Sequence, residues 1–100
     1  MRTVTLTLVT IIAEPVLEEM LTRELRHLGA RGFTVTESRG EGSRDLRAGS
    51  LPGQNVRIEL IVSPIVARAV LEHVATHYFA QYAVIVFSQP VEVVRGEKYV

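Results

Sequence analysis

A chain of 100 residues with 11 basic and 11 acidic side chains has no formal net charge and contains no cysteine. Its length bounds it to one small domain over residues 1–100 whose core is modest, so that oligomerisation would add buried surface. The composition excludes disulfides and thiolate metal sites, and leaves no global field to draw the chain onto nucleic acid or an anionic membrane.

From Thr3 to Leu8, threonine alternates with Val4, Leu6 and Leu8, and Val9-Thr10-Ile11-Ile12 continues apolar on both sides; this predicts strand one. Pro15 fits the first turn of a helix, and Leu17, Leu21, Leu25 and Leu28 recur at spacings of four, four and three as an apolar stripe. Gly29 ends that helix. Arg23, Arg26 and Arg31, near its C-terminal end, serve solubility and the helix dipole and are given no site. Phe33 and Val35 alternate with Thr34 and Thr36 as strand two. Residues 39–54 hold four of the seven glycines plus Pro52 and read as a loop. Val56, Ile58, Leu60 and Val62 mark strand three.

Ser63-Pro64 is an N-cap and first-turn pair opening helix two, whose Val66, Ala69, Val70 and Val74 share a face. Ala83 to Phe87 is continuously apolar, as for a strand buried on both faces, and Val91 to Val94 adds a short terminal strand after Pro90. The order βαββαβ predicts an α+β, ferredoxin-like fold: an antiparallel sheet with two helices on one face. Strands one and four carry apolar residues on both faces, which predicts a symmetric oligomer packed through the open side of the sheet. No apolar run approaches the roughly 18 residues of a membrane-spanning helix, so no membrane insertion is expected. No signal-peptide pattern is present, which favours the cytoplasm.

The chemistry concentrates between residues 29 and 47. Gly40 and Gly42 let the backbone approach a ligand closely, while Arg39, Arg44 and Arg47 supply cationic forks suited to phosphate oxygens. His73 and His77 stand four apart on helix two and could grip a metal from one face, but no cysteine or clear third ligand accompanies them, so a structural role is taken. Tyr78, Phe79 and Tyr82 either stack on a base or pack the end of helix two. No Cys nucleophile, Ser-His-Asp arrangement or paired-carboxylate motif is present, and the chain is read as a non-enzyme without catalytic residues. Neutral charge and the lack of an aromatic sheet platform argue against nucleic acid.

The segment Gly29 to Gly42 resembles the P-II family of signalling proteins. There the pattern Gly-x-x-Gly-x-Thr-Val-Thr-Glu-x-Arg-Gly-x-Gly leads from helix one into the long T-loop, here about 39–54. The resemblance covers nearly the whole chain: Val56-Arg57-Ile58-Glu59 is similar to the family's third strand, Tyr78-Phe79 with Tyr82-Ala83 to the start of its fourth, and Glu92 to Gly96 to its C-terminal stretch. Two departures narrow the branch. The glycine- and lysine-containing phosphate loop is missing between helix two and strand four, and no tyrosine for uridylylation lies in residues 40–54. The shortened connection, the Gly42-Ser43-Arg44 turn and Arg47 resemble instead the P-II-like proteins associated with bicarbonate transporters and carboxysomes, which bind adenine nucleotides.

That resemblance implies a homotrimer with ligand in the clefts between subunits. Gly40 and Gly42 would offer backbone N–H groups, Ser43, Arg44 and Arg47 would hold phosphate, and Thr34 and Ile61 would line the base side. Val84, where relatives commonly have glycine, would contribute mainly backbone. Glu41 stands where those relatives often place lysine, and a carboxylate there would repel phosphate by about 1 kcal/mol, with Arg95 compensating. AMP, ADP or cyclic AMP is therefore expected over ATP, with bicarbonate as a candidate second effector and no metal. The T-loop is expected to be disordered when empty and to dock into a regulated partner, a membrane transporter or an enzyme complex, in one ligand state. The rival reading is a trimeric divalent-metal-binding ferredoxin-like protein of the cation-tolerance type, using His73 and His77.

Overall fold

The computed structural model describes residues 1–41 and 53–100. Its elements are β1 (Val4–Ala13), a 3-10 turn (Pro15–Leu17), α1 (Glu18–Leu28), β2 (Thr34–Arg39), β3 (Gln54–Val62), α2 (Pro64–Tyr78), β4 (Ile85–Val93) and a final 3-10 turn (Gly96–Lys98). The sheet runs β2-β3-β1-β4, and every neighbouring pair is antiparallel. This is the βαββαβ, ferredoxin-like α+β arrangement expected from periodicity.

One face of the sheet makes the core. Val9, Ile11 and Ala13 of β1 and Val56, Ile58, Leu60 and Val62 of β3 pack in one cluster with Leu21 and Leu25 of α1 and Ala67, Val70 and Val74 of α2. Each such Val, Leu or Ile contributes about 1.5–3 kcal/mol of burial. The helix ends follow their local chemistry: Ser63 Oγ accepts from the Val66 amide at 3.2 Å ahead of Pro64. Gly29 closes α1 at φ 116°, a left-handed conformation, and a Cβ there would stand 3.2 Å from Val66 Cγ2. Glycine at this position thus terminates α1 and lets α2 approach it.

The α2 stripe is shifted from its expected membership. Ala67 and Tyr78 are buried with Val70 and Val74, whereas Val66 and Ala69 are only partly covered. β4 also differs. It runs unbroken from Ile85 to Val93 through Pro90, so Val91–Val93 completes β4 rather than forming a separate terminal strand. β4 is an edge strand paired only with β1, and an edge position tolerates a residue without an N–H. Nor is it buried on both faces within the chain: Val86 packs on the core, but Ile85 and Phe87 are 54% and 41% exposed. The pairing register places these two on the helix-free face, beside Leu6, Leu8 and Ile12 of β1 and Ile61 of β3.

At the centre of that face Thr10 lies opposite Glu59 and Phe87, is 0% exposed, and its Oγ1 has no hydrogen-bond partner among the described residues. α1 and α2 are tied by Glu24, whose Oε1 accepts from Tyr78 Oη at 2.6 Å and meets His73 Nε2 at 2.7 Å. Burial alone would raise the Glu24 carboxyl, but the hydrogen bonds from Tyr78 and His73 and the positive charge of the nearby imidazoles outweigh it and hold it below its usual range. Burial, and then the Glu24 carboxylate, push the Tyr78 hydroxyl well above its ordinary value.

Two expectations follow from these contacts. Thr10→Val removes an orphaned hydroxyl at similar shape and should stabilise by about 1 kcal/mol, read as a Tm rise of about 4–8 °C; a fall in Tm would mean that the hydroxyl is bonded in the assembled protein. For Glu24, a depressed folded pKa gives stability that is present above its unfolded value of 4.5 and lost as pH falls through the folded one. For Tyr78, a raised folded pKa gives stability that is present below its unfolded value of 10.0 and lost as pH rises above it. In a Tm–pH series Glu24→Gln should flatten the acid limb and Tyr78→Phe the alkaline one.

Candidate functional site

β2 and β3 converge on a two-glycine neck. Arg39 pairs with Gln54, and the Gly40 amide then donates to the Gly53 carbonyl at 2.9 Å, with Gly53 at φ 85°. The expected Gly40 donor is therefore engaged in closing the loop's base. Glu41 lies exposed just beyond it. Gly42, Ser43, Arg44 and Arg47, with the expected disorder of the T-loop, lie outside the described residues. Beneath the neck is a cleft of about 800 Å³ whose walls include Pro15, Glu18, Glu37, Arg39 and Asn55.

A second cleft, of about 530 Å³, brings together two expected residues, Thr34 and Ile61, with Leu8, Glu59, Arg31, Lys98 and Tyr99. Arg31 and Lys98 place two cations beside this pocket, and neither carried a site assignment in the sequence. Arg31 stood among residues explained by the helix dipole, and Lys98 had no periodic or motif signal. Glu59 is also in ion-pair contact with Arg57 at 3.5 Å.

The tail that delivers Lys98 and Tyr99 is shaped by Arg95 and Gly96. Arg95 adopts φ 63°, the single positive φ outside glycine among the described residues, and its carbonyl accepts from the Lys98 amide at 3.0 Å. A Cβ on Gly96 would overlap Val4 Cγ2, so glycine here lets the turn dock against the start of β1 without displacing Val4. Arg95 sets the turn through its backbone, and Lys98 is the cation found at the cleft.

Thr34 and Gly40 stand six residues apart at opposite ends of β2, roughly 20 Å at strand rise. Register extends the division across the sheet. Ile61 pairs with Leu8 towards the Thr34 end, whereas Val84 precedes Ile85, opposite Ile12, at the neck end. Val84 has its side chain buried in the core and its amide donating to the Tyr82 carbonyl at 3.1 Å. The candidate residues described in one chain therefore fall into two groups, two candidate half-sites that do not meet.

The aromatic and histidine clusters belong to the packing. Tyr78 is buried on Glu24, and Tyr82 packs against the core. His73 Nε2 is engaged by Glu24, His77 Nδ1 bonds the His73 carbonyl at 3.0 Å, and the two rings stack at 4.2 Å. Among the described residues no three His, Asp or Glu side chains gather as a metal-ligand set, and no helix is long and apolar enough to cross a membrane.

Comparison with known proteins places these features. The family described as Nitrogen regulatory protein P-II matches residues 6–98. Among solved structures, a PII-like signaling protein from Thermus thermophilus is 52% identical over 100% of both chains, with a TM-score of 0.86. CPII from Thiomonas intermedia, bound to ADP and bicarbonate, is 25% identical over 99% of this chain and 98% of its own, with a TM-score of 0.84. The same protein bound to ADP, AMP and acetate superposes at 0.85 with 23% identity over 99% and 98% of the two chains, a likeness of fold. With the family's pattern spanning residues 6–98 and a solved relative superposing over the whole chain, the chain belongs to the P-II family, as a P-II-like signalling protein.

Proposed function

We propose that the protein senses an adenine nucleotide, AMP, ADP or cyclic AMP rather than ATP, in clefts between the subunits of a homotrimer, and signals to a regulated partner through the loop about 39–54. The separation of the half-sites carries this reading. A nucleotide is too short to run from the Thr34–Ile61 cleft to the neck of the same chain, whereas a head-to-tail ring sets the neck of one copy beside that cleft on the next. The helix-free face supplies apolar surface for such an association through Ile85 and Phe87.

In this arrangement Thr34 and Ile61 receive the base, and Lys98 and Arg31 approach the phosphates as charge-assisted donors. Ser43, Arg44 and Arg47, with the backbone around Gly42, complete the phosphate side. Arg95 serves through the turn that it forms. Glu41 at the neck disfavours a third phosphate. The reported ligands of CPII make ADP, AMP and bicarbonate the first effectors to try. The role is regulatory rather than catalytic, the location cytoplasmic, and the partner a membrane transporter or an enzyme complex.

Calorimetry against AMP, ADP, ATP and cyclic AMP, each with and without bicarbonate, tests the reading together with light scattering for a trimer. Binding of a mono- or diphosphate in preference to ATP is expected; no heat with any adenine nucleotide at millimolar concentration would sink it. Lys98→Ala should weaken ADP about tenfold, the equivalent of one charge-assisted hydrogen bond. Arg47→Ala should abolish nucleotide binding with the trimer intact, and unchanged affinity would remove Arg47 from the site.

A further inference from the structure

The turn that joins α2 to β4 is held largely by its own backbone. Gln81 and Tyr82 donate to the Tyr78 carbonyl, and Val84 donates to that of Tyr82. Ala83 differs: its amide donates to Glu14 Oε2 at 3.3 Å, across 69 positions of sequence. Glu14 follows β1 directly and is 0% exposed. A carboxylate with no access to water is costly unless its oxygens are hydrogen-bonded, so this contact is specified rather than incidental.

We propose that Glu14 is a positioning residue for the neck-end half of the nucleotide site, fixing the backbone of residues 79–84 through the Ala83 amide. The inference rests on the nucleotide reading above. Val84, the residue of this turn assigned to the ligand, contributes main chain, so its usefulness depends on where that main chain is held. The turn holds no glycine- and lysine-containing loop that could wrap a phosphate by itself. Its own backbone bonds shape it, and a side chain at the end of β1 ties it to the sheet.

The location strengthens the assignment. Ala13 pairs with Val56, and Val56 with Glu37, so Glu14 follows the strand end nearest the neck. The next residue, Pro15, lines the cleft beneath the neck. Two consecutive residues thus touch the two parts of this half-site, Glu14 the turn and Pro15 the cleft. A turn held before ligand arrives needs no ordering on binding, which favours affinity.

The test compares ADP calorimetry with amide hydrogen exchange at Ala83 in four proteins. Glu14→Gln keeps both reach and an acceptor oxygen and should bind ADP within about twofold of wild type. Glu14→Asp keeps the charge but withdraws it by one methylene; it should bind about tenfold more weakly or worse, with faster exchange at Ala83. Val70→Ala, a core truncation away from the turn, serves as the destabilised control and should keep its ADP affinity. If Glu14→Asp does not fold, Glu14→Met, with similar reach and no acceptor oxygen, carries the same expectation.

ADP affinity unchanged in the Asp or Met variant, or reduced only as far as in Val70→Ala, overturns the proposal. So does a tenfold loss in Glu14→Gln, which would make charge rather than the hydrogen bond the requirement. If wild type takes up neither ADP nor AMP, the nucleotide reading fails and this assignment falls with it. Wild-type binding with an indifferent Asp variant removes Glu14 alone.

Discussion

β1 is apolar on both faces, and the rest of the molecule is arranged around that fact. It is the strand with β3 along one edge and β4 along the other. Val9, Ile11 and Ala13 turn to the helices and are fully buried, whereas Leu6, Leu8 and Ile12 turn to the opposite, helix-free face, where Leu8 and Ile12 are only partly covered. A strand built this way satisfies its helix side within one subunit and leaves the other to association. Thr10 interrupts the second face with a buried hydroxyl, the kind of group that strengthens specificity if bonded and costs stability if not.

The same sheet explains why recognition is divided. Strands of six to ten residues hold their two ends well apart, and the clefts of this chain and the residues proposed to face a ligand gather at those ends rather than along the middle. The tail turn brings Lys98 to one end; the neck gathers Arg39, Gly40 and Gly53 at the other. Under the proposed head-to-tail ring, occupancy reports on assembly as well as on nucleotide, because each complete cleft is a property of two copies. The loop then emerges from the half-site that holds the phosphates, so a change in phosphate number acts at its base.

Most of the architecture was legible in the residues. Alternation at Val56, Ile58, Leu60 and Val62 and the leucine stripe of α1 are strong periodic signals, and both faces came out buried as read. Gly29 and Ser63-Pro64 marked helix ends through chemistry that acts locally. Errors arose where tertiary placement decided the outcome. Pro90 suggested a break because its missing N–H matters in a central strand, but β4 lies at the edge. Tyr78 packs the end of α2, one of the two roles read for it, but its partner Glu24 lies 54 positions away and carried no signal in the residues around it. Thr34 and Ile61 line one cleft, and Arg31 and Lys98 join them there only through the path of the chain.

The close packing of Gly96 on Val4 ties together the two ends of the polypeptide. Thr3 also donates to Glu92 at 3.2 Å, and Val4 pairs with Val93, so the opening and closing residues share one corner of the sheet. That corner carries the turn that points Lys98 and Tyr99 into the base-side cleft. An extension fused after Val100 would therefore begin one residue beyond Tyr99, which lines this cleft. Under the proposed reading, an affinity tag at that end is a modification of the ligand's neighbourhood, and tag-free material is the proper reference for every binding measurement.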